Sequence, residues 1–383
     1  MTGTSLDGLD VALVKIEGTG LAMKATFLGL VSKSLGPLAD QLRHFAEGRA
    51  APPIDYLRAA RTLGELHAAA VLELCAACSM NDKSPGMAIP GLLSFIVAHG
   101  QTIWHAPRKS GNEEPSLSWQ LFDPWPLARK LKVPVCHDLR QADLIAGGQG
   151  APITPLSDWI MYRRTQSDRV AIINLGGVAN GTLLDADPQK IAGGDICVCN
   201  ILIDGLVRVL HPQLPFDDGG KLARSGSINA ACMDWIAAHP GLRRDTRQSL
   251  GREAFDPKWF TQIAQRTRMQ IAESDRVDND LLRSAVECVA QAIGDWVRRN
   301  RANRVVIAGG GTRNSFLAER IRHCCGLLAD DVVLSDDLGI PSEAREAMAF
   351  AVLGALSQDG VPITLPQVTG AQSPGRAGAW VYP

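Results

Sequence analysis

The 383-residue chain is long enough for two domains, or one large one, with a sizeable core. Apolar residues make up 46% of it, charged residues 21%, and the formal net charge is −1. Nothing in that balance argues for the clustered positive excess needed to hold a nucleic-acid backbone or an anionic membrane surface, so neither is expected as a partner.

No segment reads as an export signal or a membrane span. The longest apolar stretch, residues 86–98, is interrupted by Pro90 and falls short of the roughly 20 residues a spanning helix needs. A cytoplasmic location is expected. The nine cysteines are odd in number and scattered, which favours reduced thiols over a disulfide framework.

Short β-rich runs at 11–17 and 25–32 open the chain. A long helical pattern covers 54–80. Within it Leu63, Leu66, Ala70, Leu74 and Cys78 share one face, so Cys75-Ala-Ala-Cys78 reads as part of a buried helix rather than a redox or metal site. A strand at 94–98, a short helix at 124–131 and a strand at 133–136 come next. After Pro152 and Pro155 the scheme restarts. Strands at 169–175 and 181–184 are followed by helical patterns at 200–210 and 279–298. A strand at 305–308, a helix at 315–323, a strand at 332–334 and a helix at 341–357 complete the chain. Strands alternating with helices predict α/β layers with largely parallel sheet. The restart predicts two related lobes, 1–155 and 156–383, with ligands gathered at the carboxyl ends of strands in a cleft between them.

Several motifs fall at such strand ends. Gly309-Gly310-Gly311-Thr312-Arg313-Asn314 lies between a strand and a helix; it suits close approach of a nucleotide, or merely a tight turn. Asn174-Leu-Gly-Gly-Val-Ala-Asn180 is either a plain hairpin turn or a phosphate-gripping one. Thr2-Gly3-Thr4-Ser5-Leu6-Asp7 reads as a third such hairpin, with Asp7 able to hold Mg²⁺ through water, or as a polar terminus. His99-Gly-Gln101-Thr follows the strand at 94–98, where the histidine is either a hydrogen-bonded structural residue or a polar ligand contact. Asp138, Arg140 and Asp143 follow the next, where they suit sugar hydroxyls and carboxylates or form an ion-pair cluster. Asp195, on a turn after Gly193-Gly194, is the best candidate for a general base, or is a plain helix-entry residue. Glu346, on the last helix, faces either the cleft or water.

The ordered set of motifs resembles the anhydro-N-acetylmuramic acid kinase family. The matching stretches are TGTSLDGLD, HGQTIWH, DLRQADLIAGGQGAP, NLGGVAN, FDDGGKLARSG, GREAF, AGGGTRN, EAMAFAVLG and LPQVTGA, and they run nearly end to end. The resemblance implies a two-lobed actin-like ATPase (ribonuclease H-like) α/β fold with an active-site cleft between the lobes. It implies a kinase that opens the 1,6-anhydro bridge of 1,6-anhydro-N-acetylmuramic acid with water and phosphorylates O6 from Mg-ATP. The product would be N-acetylmuramic acid 6-phosphate, in cell-wall recycling. Asp195 takes the role of activating the water. Gly3, Thr4, Ser5 and Asp7 handle phosphate and Mg²⁺, Asp7 through water. Gly176 and Gly177 form the second phosphate hairpin, and Gly309, Gly310, Gly311 and Asn314 hold the nucleotide. His99, Gln101, Arg140 and Glu346 are the sugar-site groups. The ligands implied are a small anhydro-sugar and ATP, and the assembly implied is a homodimer.

Two departures from the family pattern stand out. Asp-Thr-Gly-Pro-Gly-Asn is usual where this chain reads Asp195-Ile-Cys-Val-Cys-Asn200. A position there needing positive φ would lose on the order of 1 kcal/mol without its glycine. Gln-Ile-Gly-Asp-Pro is usual where it reads Gln120-Leu-Phe-Asp-Pro124, and Phe122 is expected to narrow the sugar pocket. These leave two alternatives, a kinase for another anhydro-sugar such as levoglucosan and a non-catalytic sugar- or nucleotide-binding homologue. In the family a strand precedes the first hairpin, whereas here only Met1 does. The chain is therefore expected to lack the central strand of its first sheet or to start inside a longer reading frame, and an upstream extension is expected to raise its melting temperature.

Overall fold

The computed structural model describes residues 1–2, 6, 8–81, 93–107, 114–163, 169–242, 256–270 and 276–383. Contacts divide the chain into two compact units, Met1–Tyr162 with Glu343–Pro383, and Arg163–Ser342. The expected division at 155 is thereby corrected at both ends. Residues 156–162 stay with the first unit, and 343–383 return to it. The cause is long-range packing. A helix at Pro155–Tyr162 is buried along nearly its whole length and lies against the helix Arg345–Gln358.

In the first unit, β1 (Leu9–Glu17) and β2 (Lys24–Lys33) form an antiparallel hairpin with a bulge between Leu13 and Val14. Helices α1 (Leu38–Ala46) and α2 (Pro53–Asn81) follow. The periodic face expected of α2 is the one it packs: Leu63, Ala70 and Leu74 are buried and Leu66 is half-buried. Cys75 is buried on this helix. β3 (Ile96–Val97) runs parallel to β6 (Val135–His137). Between them in sequence, β4 (Gln101–Ala106) and β5 (Leu117–Leu121) make a separate antiparallel hairpin that the sequence reading missed. Trp104, Leu117 and Trp119 face outward on it, so the alternation that marks a half-buried strand is blurred. Short helices α3 (Trp125–Leu131) and α4 (Gln141–Ile145) precede α5 (Pro155–Tyr162).

The second unit has one five-stranded sheet. At its centre is β7 (Val170–Leu175). On one side β8 (Val178–Leu184) and then β9 (Ala192–Val198) continue antiparallel. On the other, β10 (Arg304–Ala308) and then β11 (Val332–Leu334) run parallel. This is the ribonuclease H-like arrangement of the actin-like ATPase fold. Around the sheet are α6 (Asn200–Leu210), α7 (Lys221–Ser225), α8 (Ala230–Ala237), α9 (Pro257–Gln270), α10 (Val277–Arg299) and α11 (Ser315–Cys325). The core is built on α10, whose Leu281, Val286, Val289 and Ile293 are fully buried with Leu202 and Leu206 of α6.

The chain then adds α12 (Arg345–Gln358), α13 (Pro366–Thr369) and β12 (Ala379–Val381) to the first unit. β12 pairs antiparallel with β6. The first unit's strands remain in separate sheets. A cavity of about 530 Å³ lies between β1 and β3, lined also by Met1, by His67 and Val71 of α2 and by Phe350 of α12.

Candidate active site

In the first unit the expected sugar-site residues gather around His99. The backbone leaves β3 just before it, after Ala98 N–H has bonded to Cys136 O at 2.8 Å. His99 Nε2 accepts from Arg140 Nε at 3.0 Å, and its Nδ1–H donates to Gly100 O at 2.8 Å. Burial, with the Arg140 charge beside it, pushes the imidazole pKa down to about 3, so the ring is neutral. Thr2 donates to the same Gly100 carbonyl at 2.7 Å. Gly100 must be glycine: its φ is +74°, and a Cβ would sit 2.8 Å from Phe122 Cβ.

Arg140 makes a second bond, from Nη1 to Gly150 O at 2.6 Å. Burial pulls its pKa down to about 10, opposed by the carboxylates of Glu346 and Asp143, so it stays charged. Glu346, on the first turn of α12, is exposed. Gln101 is buried, and its amide donates to Thr102 O at 3.3 Å. His99, Arg140 and Glu346 therefore come together, with His99 holding Arg140 in place and Arg140 and Glu346 nearer to solvent.

Asp143 has a different task from its neighbour Arg140. It is fully buried, accepting from Gly150 N–H at 2.7 Å and from the Thr369 hydroxyl at 2.6 Å. The glycine-rich loop 147–150 is wrapped around this carboxylate: a Cβ on Gly148 would lie 2.2 Å from Asp143 Oδ2. Thr369 belongs to the C-terminal LPQVTGA stretch, so two motifs far apart in sequence build one structural clasp.

In the second unit, β7 and β8 join at Gly176-Gly177. Gly176 O accepts from Asn200 N at 3.1 Å, and Gly177 O accepts from Cys199 N at 2.9 Å and Ile201 N at 3.1 Å. The turn's carbonyls thus anchor the start of α6. Gly309 follows β10 with φ +90°, and a Cβ there would be 2.7 Å from Asn174 Oδ1. One on Gly311 would be 2.6 Å from Leu175 Cβ, while the Cβ position of Gly310 has nothing within 4 Å among the described residues. Close packing on β7 accounts for the outer two glycines. It does not account for the middle one, which leaves backbone open to a ligand. Asn314 caps α11, accepting from Leu317 N at 2.9 Å. A Cβ on Gly220 would be 2.2 Å from Asn314 Oδ1, so the FDDGGKLARSG stretch folds directly against AGGGTRN.

Asp195 lies in β9, half-buried, paired with Asn180 beside a bulge. The expectation that it occupies a turn is corrected. Gly193 and Gly194 depress strand propensity, yet an edge strand tolerates them because β8 supplies the ladder. Asp204 was not foreseen. It is half-buried on α6, one turn beyond Asn200, and burial raises its pKa to about 6, with the charge of Asp217 adding and Arg208 opposing. The i, i+4 spacing from Asn200 is the signal that could have shown it. Gly3, Thr4, Ser5 and Asp7, and the GREAF stretch, lie outside the described residues.

The model of the family described as anhydro-N-acetylmuramic acid kinase matches residues 1–383. The chain belongs to this family. It is 34% identical over 380 residues to an anhydro-N-acetylmuramic acid kinase of Gloeobacter violaceus, covering 98% of this chain and 95% of that one. It is 31% identical over 395 residues to one of Bacillus thuringiensis subsp. konkukian, covering 100% and 98%. Among solved structures it is similar to component A of Acidaminococcus fermentans (R)-2-hydroxyglutaryl-CoA dehydratase, at a TM-score of 0.44 and 11% identity, covering 91% and 99%. Membership in the kinase family makes the chain a phosphotransferase with an alcohol group as acceptor. Among the described residues no helix is long and apolar enough to cross a membrane.

The chain's departures from the family pattern can be read in the structure. Cys197 is a strand residue paired with Ala179, and Cys199 has φ −129°. Neither backbone is in the left-handed region that favours glycine. Both thiols are fully buried, which pushes Cys199 up to about 12 and Cys197 well above the ordinary thiol range. They are protonated packing groups. Phe122 packs its ring against His67 at 5.0 Å and His137 at 6.2 Å, among the core residues of the first unit.

Proposed function

We propose that the chain is an ATP-dependent cytoplasmic kinase that opens the 1,6-anhydro bridge of 1,6-anhydro-N-acetylmuramic acid with water and phosphorylates the freed O6, yielding N-acetylmuramic acid 6-phosphate for cell-wall recycling. The family match over the whole chain supports the kinase chemistry. The observation that carries the site reading is a half-buried Asp195 in the same unit as the open backbone at Gly310 and the Gly176-Gly177 turn.

In this reading Asp195 takes one proton from a water molecule. The water oxygen bonds to C1 as the C1–O6 bond breaks. O6 bonds to the γ-phosphorus of ATP, the bond to the ADP oxygen breaks, and the proton on Asp195 passes to solvent. Phosphoryl transfer asks chiefly for positioning and for neutralised oxygen charge. The Gly309–Gly311 and Gly176-Gly177 backbones supply positioning. ATP would supply Mg²⁺ to screen the phosphate charge, and Asp7 would be the carboxylate that holds it. In the first unit, Arg140 suits the sugar's lactyl carboxylate and Glu346 its hydroxyls.

ADP release with 1,6-anhydro-N-acetylmuramic acid, and in parallel with levoglucosan, tests the proposal. Turnover on the former is expected, falling about 10²–10⁴-fold in Asp195→Asn while ATP binding persists. Turnover on levoglucosan alone would reassign the substrate. ATP binding with no ADP release on either sugar would make the chain a binding protein.

A further inference from the structure

Asp158 on α5 and Arg345 at the start of α12 form a buried ion pair, with Arg345 Nη2 donating to Asp158 Oδ2 at 2.5 Å. Asp158 has no exposed surface and Arg345 only 5%. Their places in the chain are unusual. α5 is the last element before the chain passes into the second unit after Tyr162, and α12 is the first after it returns at Glu343.

Stability alone is a poor reason for the pair. Two buried charges repay their desolvation only when every remaining polar atom is bonded. Here Asp158 Oδ1 and Arg345 Nε are buried without a partner among the described residues. What the pair does provide is a single register, since an apolar contact between α5 and α12 would tolerate sliding and rotation. The groups that depend on this register are close by. Glu346 is the next residue, and its charge reaches Arg140. Phe350, one turn further on, meets the His99 ring edge-on at 4.9 Å.

We infer that Asp158 and Arg345 are positioning residues for the sugar site, fixing the first turns of α12 so that Glu346 and Phe350 are held against Arg140 and His99. The inference rests on the proposed function for its kinetic readout, but not for its spectroscopic one.

The deciding variant is the apolar double Asp158→Leu/Arg345→Met, because replacing both members of a buried pair by apolar groups commonly preserves stability. Its melting temperature is expected to stay within a few degrees of wild type. Its KM for 1,6-anhydro-N-acetylmuramic acid is expected to rise about tenfold, with the KM for ATP within twofold. In ¹⁵N-imidazole NMR spectra, His99 is expected to titrate closer to its ordinary pKa than in wild type. A folded double variant with wild-type sugar KM and wild-type His99 titration overturns the inference. If the double variant does not fold, Arg345→Lys replaces it, with the same two readouts moving in the same directions and the same null result overturning it. If wild type turns over no anhydro-sugar, the functional reading fails on its own, and the His99 titration alone decides the role of the pair.

Discussion

Arg140 Nε donates to His99 Nε2 at 3.0 Å, and because a guanidinium can only donate, this contact sets the imidazole as the neutral tautomer with its proton on Nδ1. Arg140 also holds Gly150 O. A lysine ammonium cannot span both acceptors in the same geometry. Arg140→Lys is therefore expected to raise the KM for the anhydro-sugar roughly 10- to 100-fold, the loss of one or two charge-assisted hydrogen bonds. The KM for ATP should be unchanged. Initial-rate kinetics with each substrate varied in turn check this, and equal effects on both KM values would count against the assignment.

Acid should destabilise the protein through two histidines. Burial pushes His67 and His99 each down to about 3 from an ordinary value of 6.5. Between those values the unfolded chain holds more protons than the folded one. Their contribution is thus complete above pH 6.5 and is lost as pH falls towards 3. Each would remove up to about 3 kcal/mol between about pH 7 and pH 4. His67 donates from Nδ1 to Leu63 O, while its Nε2 is buried without a partner among the described residues. His67→Gln keeps a donor and cannot titrate, so its denaturation midpoint should depend less steeply on pH than that of wild type.

The three glycines after β10 should respond differently to alanine. Gly309 combines φ +90° with a blocked Cβ position, so Gly309→Ala should cost about 2 kcal/mol or more. Gly310 has open space and no positive φ. Gly310→Ala should leave the melting temperature nearly unchanged while weakening ATP binding, because the added methyl stands where the nucleotide would approach. Calorimetric titration with ATP beside thermal melts separates the two effects. Unaltered ATP affinity in Gly310→Ala would leave the motif as a turn alone.

Thiol reagents should distinguish exposed cysteines from buried ones. Cys78 and Cys324 are half-buried, while Cys197 and Cys199 have no exposed surface. In native buffer, labelling followed by peptide mapping should reach Cys78 and Cys324 first. Cys197 and Cys199 should label only at the rate of unfolding. Rapid modification of either would contradict their role as packing groups.

Residues 54–80, 200–210 and 315–323 were legible as helices because the information is local: an apolar stripe every three or four residues. Buried β-branched runs such as Val305–Val306–Ile307 were legible as strands for the same reason. The glycine motifs, and the family they identify, also stand in the sequence as short ordered words. β9 was not legible, since its glycines suggest a loop and only pairing with β8 makes it a strand.

By itself, then, the sequence determined the α/β class, most elements and the kinase family, because each depends on spacing within a few turns of chain. Tertiary structure alone decided that 343–383 belong with the first unit, that Arg140 reaches His99 across 41 residues, and that Arg345 reaches Asp158 across 187. It also decided which carboxylate is structural: Asp143 is clasped by Gly150 and Thr369, whereas Glu346 faces outward. The reason is physical. Burial, and the desolvation that shifts a pKa or demands a partner, depends on which distant segments close over a residue.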